Sequence, residues 1–110
     1  MEISTNEVKR VTVVAVNGRV DSATAPDLEN NLKQLVDTAK TQIVLDLTDV
    51  DYMSSAGLRA MVSTLKSVKR QNGDLRLASP SQRVAEVLRL AGLTSIFSIY
   101  PSQNDAVNSF

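Results

Sequence analysis

Neither cysteine nor histidine occurs in the 110 residues. Without cysteine there can be no disulfide and no thiolate metal site, and nothing ties the chain to an oxidising compartment. Without histidine the usual general base of a Ser-His or Cys-His site and the commonest zinc ligand are gone, which takes support from most hydrolase chemistries. Aromatics are scarce, two Phe and two Tyr, too few to offer stacking platforms to single-stranded nucleic acid. The 12 basic residues balance the 12 acidic ones, and they are scattered along the sequence, so the basic footprint of a nucleic-acid binder is missing. No stretch approaches the roughly 18 apolar residues that span a bilayer, and the amino terminus lacks a basic segment followed by an apolar one. These absences lead us to expect a cytosolic protein without membrane insertion.

What remains is an ordinary globular composition, 43% hydrophobic and 22% charged, of a length that suits one domain over residues 1–110 with a single two-layer core. Two β-rich stretches, Ile3–Val8 and Val11–Val16, are separated by Lys9-Arg10 and read as a short hairpin, its turn type left open. Asn17 to Asp21 then break the strand at Gly18. Thr24, Pro26 and Asp27 open a helix over about residues 25–39, with a capping hydroxyl, a proline in the first turn and an acid near the positive end. Leu28, Leu32, Leu35, Val36 and Ala39 form its buried stripe. Gln42–Leu47 is a strand apolar enough to be covered on both faces. Leu58, Met61, Val62, Leu65 and Val68 give a second, amphipathic helix that stops at Asn72-Gly73. Asp74–Ala78 is a strand. Ser79-Pro80-Ser81 opens a third helix with Val84, Val87, Leu88 and Ala91 inward and Gly92 at its end. Ile96–Tyr100 is a last strand candidate, and Ser102 to Asp105 resemble a capping box for a short terminal helix. A hairpin followed by strand–helix alternation predicts an α/β fold, one open mixed sheet with helices packed on it.

The stretch that the rest of the chain serves runs from Ile43 to Arg59. It passes from an apolar strand through an acidic turn, Asp49 and Asp51, to a helix start with Ser54, Ser55 and Gly57. Unpartnered N–H groups and a partial positive charge gather at such a start, so a serine there can cap the helix, bind a partner or carry a phosphate. From the residues alone capping is the favoured role. Asp21 reads as a turn residue, Asp46 as a strand-end carboxylate satisfied by nearby backbone, and Leu58 as core. Asp49 and Asp51 form a solvated pair with no third ligand, so no metal or other cofactor is expected.

Taken in order, Gly18-Arg19-Val20-Asp21, Val44-Leu45-Asp46-Leu47, Tyr52-Met53-Ser54-Ser55-Ala56-Gly57-Leu58, Ala91-Gly92-Leu93 and Phe97-Ser98-Ile99 resemble the STAS domain of bacterial anti-sigma factor antagonists over almost the whole chain. The resemblance implies a non-catalytic regulator that binds an anti-sigma factor serine kinase of histidine-kinase-like ATPase fold and makes it release a sigma factor. The kinase phosphorylates one serine at the second helix start, and a PP2C-type phosphatase reverses the step. Aligned on Gly57 and Leu58, that serine is Ser55. The preceding position, commonly Asp in phosphorylated members, is Ser54 here, which leaves Ser54 as an alternative acceptor. The implied partner surface comprises Asp21, Ser22, Met53, Ser54, Ser55, Ala56, Gly57 and Arg59, on a monomer or weak dimer.

Two other classes compete. STAS-like domains also attach to anion transporters and lipid-export ATPases, so the chain could be a separate accessory subunit of such a machine. An enzyme ranks last, since no Gly-x-Ser-x-Gly elbow and no Walker loop is present.

Overall fold

Stretches as apolar as Val11–Val16 and Ile43–Leu47 are stable as strands only when both faces are covered, and that is how the chain arranges them. The computed structural model describes residues 1–110, in the order β1 (Glu2–Val8), β2 (Val11–Val20), α1 (Ala25–Asp37), β3 (Gln42–Met53), α2 (Ser55–Lys69), β4 (Asp74–Ala78), α3 (Gln82–Leu90), a 3-10 turn (Leu93–Ser95), β5 (Ile99–Tyr100) and α4 (Gln103–Asn108). The five strands form one sheet in the order β1-β2-β3-β4-β5. β1 is antiparallel to β2, and all later neighbours are parallel. The mixed α/β sheet expected from the sequence is therefore present.

Side chains alternate across the sheet. Val14, Val16, Ile43, Leu45, Leu47, Leu75 and Leu77 pack with Leu28 and Leu32 of α1, Met61, Leu65 and Val68 of α2, and Val84 and Leu88 of α3. Val11, Val13, Val44 and Ala78 point the other way and meet Ala106 and Val107 of α4. α4 starts where the capping box placed it, with Ser102 Oγ accepting from the Asp105 N–H at 3.0 Å.

The hairpin expected at Lys9-Arg10 is present, with both residues in the left-handed region, φ 52° and 69°, as a two-residue type I′ turn requires. Several other local expectations are corrected. The break expected at Asn17–Asp21 does not occur, because β2 runs on to Val20. β3 likewise continues through the supposed acidic turn to Met53. Two register shifts between β2 and β3, at Ala15/Asn17 and Gly18/Arg19, absorb the irregularity. Gly18 is needed there, at φ 106°. Asp49 and Asp51 are thus exposed strand residues flanking buried Val50. The last strand shrinks to Ile99–Tyr100, since a 3-10 turn follows Gly92 and leaves Ile96 exposed. Ala91 is exposed rather than inward.

Ala39 is not part of the buried stripe of α1. It lies exposed at φ 63°, where its N–H donates to Val36 O and the Lys40 N–H to Leu35 O. That bonding pattern is the Schellman motif, which favours glycine at the left-handed position. Asn72 does the same work after α2, at φ 63°. Ala39→Gly is expected to raise stability by about 0.5–1 kcal/mol, read as a higher denaturation midpoint in urea with an unchanged slope.

Candidate functional site

Because β2 and β3 run parallel, their carboxyl ends deliver the loops into α1 and α2 to the same edge of the sheet, where open α/β sheets place their sites. The register pairs Arg19 with Tyr52 and Val20 with Met53. One backbone bond closes the junction, the Ser54 N–H donating to Val20 O at 2.8 Å.

The first loop is held by its own side chains. Asp21 Oδ1 accepts from the N–H groups of Ala23 at 2.9 Å and Thr24 at 3.1 Å. Thr24 Oγ1 accepts from the Asp21 N–H and donates to Arg19 O, both at 2.9 Å. Thr24 thus reaches back into the turn and makes no forward cap to α1, which corrects its expected role. Arg19 spans both loops, with its Nε 3.2 Å from Asp21 Oδ2 and its guanidinium 4.0 Å above the Tyr52 ring. The Thr24 N–H above all holds the Asp21 carboxyl below its ordinary value, aided by Ala23, the Thr24 hydroxyl and Arg19 and opposed by partial burial.

The second loop separates the two serines. Ser54 is the N-cap, in extended backbone, and its Oγ accepts from the Gly57 N–H at 3.3 Å. Ser55 is the first residue of α2, exposed, and its hydroxyl has no partner within the protein. No base stands by to activate it, so the arrangement offers an acceptor hydroxyl in the field of a helix N-terminus. Gly57 is buried beneath. A Cβ there would lie 2.3 Å from Met53 Sδ and 2.8 Å from Val20 Cγ1, so a larger residue would force both side chains to shift.

Of the eight residues expected at the partner surface, Ser22, Ser55 and Arg59 are exposed and Asp21, Ser54 and Ala56 half-buried. Met53, 3% exposed, and Gly57 support this surface from below. Arg19 and Tyr52, which belong to the quoted motifs but not to the expected partner surface, complete the junction, and their pairing depends on register shifts that no local pattern announces. Leu58 packs against the main core as expected but is not fully enclosed by it. It is half-buried and, with Val62, Ala91 and Leu93, lines a groove of about 590 Å³ that reaches from Ser55 to Arg70. Asp46 lies apart, half-buried on the α4 face. It accepts from the Thr48 N–H and hydroxyl at 3.0 and 2.6 Å and from Gln103 Nε2 at 2.8 Å, so its structural role stands with more side-chain help than expected. No helix is long and apolar enough to cross a membrane.

The two serines should separate in stability. Ser54→Ala is expected to cost about 1 kcal/mol through the lost cap, and Ser55→Ala to stay within about 0.5 kcal/mol of wild type, both by urea denaturation. A carboxyl whose folded pKa is depressed stabilises the fold above its unfolded value, near 3.9, and loses that contribution as pH falls through the folded value. Asp21→Asn is accordingly expected to be less stable than wild type at pH 7, with the gap closing below about pH 4.

The STAS domain family profile matches residues 2–106. Over its full length the chain is 34% identical to BtrV of Bordetella bronchiseptica, a candidate anti-sigma factor antagonist, and covers 95% of that protein. It is 36% identical over 86 residues to the anti-sigma-B factor antagonist of Bacillus subtilis, 78% of each chain being covered. The crystal structure of an anti-sigma factor antagonist from Mycobacterium paratuberculosis superposes with a TM-score of 0.90 at 27% identity, covering 98% of this chain and 92% of that one. With the family profile matched over residues 2–106 and a relative 34% identical over the whole chain, the chain belongs to the STAS domain family.

Proposed function

We propose that the chain is an anti-sigma factor antagonist, acting as one STAS domain over residues 1–110, that works by exchanging partners and is switched by phosphorylation of Ser55. The observation that carries this reading is the division of labour at the α2 start: Ser54 is engaged as the cap, while the Ser55 hydroxyl is exposed and unbonded. Ser and Asp are about equally good N-caps. Ser54 can therefore cap the helix from the position that is commonly Asp in the phosphorylated members that the sequence resembles, leaving Ser55 as the acceptor. The resemblance to named anti-sigma factor antagonists supports the partner class, an anti-sigma factor serine kinase of histidine-kinase-like ATPase fold, with a PP2C-type phosphatase restoring the free serine.

The switch follows from local charge. A phosphate on Ser55 adds roughly −1.5 to −2 charges at neutral pH. The N-terminus of α2 tolerates that charge, and Arg59 lies one turn on at the i+4 position, so the fold survives. The interface does not, since an uncompensated charge buried between partners costs on the order of 3–5 kcal/mol, a hundred- to several-thousand-fold in affinity.

The test is affinity capture from the source cytosol with wild type, Ser55→Ala and Ser55→Glu, each first shown to fold alike, with partners identified and phosphate mapped by mass spectrometry. A histidine-kinase-like ATPase is expected on wild type and Ser55→Ala and missing from Ser55→Glu, with phosphate on Ser55. The same partners on all three baits and no phosphate would reduce Ser55 to the first residue of a helix. Co-purification with a transport ATPase would instead favour an accessory subunit.

A further inference from the structure

In a chain with no net charge, α2 and its C-terminal cap carry Arg59, Lys66, Lys69 and Arg70 and no carboxylate. Lys69 lies 3.4 Å from Asp74. Arg59, Lys66 and Arg70 form no ion pair and no side-chain hydrogen bond within the protein. Arg10, Lys33 and Arg83 are unpaired too, but they lie apart from one another, whereas Arg59, Lys66 and Arg70 together line one groove whose apolar wall is Leu58, Val62, Ala91 and Leu93, and no acid lines it. Leu90 at the end of α3 and Ile96 past the 3-10 turn, close in sequence to Ala91 and Leu93 of the groove, are 71% and 46% exposed, the two exposed large apolar side chains of the chain.

An apolar trough rimmed by unpaired cations has a complement of definite chemistry. We propose that the groove between α2 and the turn after α3 docks an acidic amphipathic segment of a protein partner, with its apolar side chains against Leu58, Val62 and Leu93 and its carboxylates on Arg59, Lys66 and Arg70. An amphipathic helix laid in a groove presents anchors at i, i+3 and i+4 in this manner. Nucleic acid is a poorer fit, since no aromatic side chain lines the groove to stack a base. A bilayer is poorer too, because the chain as a whole carries no net charge to draw it to an anionic surface. The inference rests on the partner-exchange reading and extends it. Ser55 closes one end of the groove, so a phosphate there sets negative charge beside the cations that the segment needs and competes with it directly.

The test needs no natural partner. The full-length chain, labelled with nitrogen-15, is titrated with an 18-residue acidic amphipathic helical peptide, its Lys-for-Glu counterpart, phosphatidylglycerol vesicles and oligo(dT), while amide shifts are followed. Saturable shifts at Leu58–Arg70 and Ala91–Leu93 are expected with the acidic peptide alone. Lys66→Glu/Arg70→Glu and the milder Lys66→Ala/Arg70→Ala, both on exposed side chains, are expected to weaken binding at least tenfold and several-fold, and Ser55→Glu to weaken it as well. No saturable shift, shifts elsewhere, indifference to both double variants, or a stronger response to vesicles or oligonucleotide would overturn the proposal. Those results leave the affinity-capture outcome untouched, so failure of the groove and failure of the Ser55 switch are told apart.

Discussion

Two-sided burial of β3 is the constraint on which the rest of the structure depends. Ile43, Leu45 and Leu47 face one helical layer while Val44 faces α4. A strand enclosed in this way must be central, which fixes β2 and β4 on either side and obliges the chain to cross over in parallel on both. Parallel neighbours bring their carboxyl ends to one edge. The juxtaposition of the Asp21 turn with the α2 start therefore follows from the hydrophobicity of a strand whose core residues lie well below the site.

At that edge the loops are rigid through local hydrogen bonds and not through burial. Asp21 and Thr24 close one loop on itself, Ser54 ties the other to Val20, and Arg19 lies across both. Van der Waals contact supplies the remainder, with Gly57 allowing α2 to start directly over Met53 and Val20. The phosphorylation proposed for the exposed Ser55 hydroxyl needs a surface of this kind, which can take up a charge without a change of fold.

The architecture was legible because periodicity and capping report directly on burial and helix ends: the α2 stripe of Met61, Leu65 and Val68, and the caps at Ser81 and Ser102, are where the pattern put them. The misreadings share a cause. Leu47–Met53 and Asn17–Val20 contain residues that disfavour strands, yet neighbouring strands and register shifts hold them extended, a tertiary effect invisible to local pattern. Ala39 fits the apolar spacing of α1 but lies beyond its last turn, since composition does not reveal where a helix ends when the left-handed residue is not glycine. Leu58 has the period of a core residue and is left half-open because Gly92 turns the chain away before anything covers it. The division between Ser54 and Ser55 likewise required coordinates, as either can cap on sequence grounds.

The lopsided charge of α2 has a further consequence for the kinetics of encounter. A molecule of zero net charge exerts little long-range pull on a diffusing partner, so its collisions are no more frequent than those of a neutral sphere. Within about 8 Å, the screening length at physiological ionic strength, the helix and its C-terminal cap, with four cations and no carboxylate, exert a torque on any acidic surface. It turns the pair toward one orientation before contact, shortening the search through misaligned encounters.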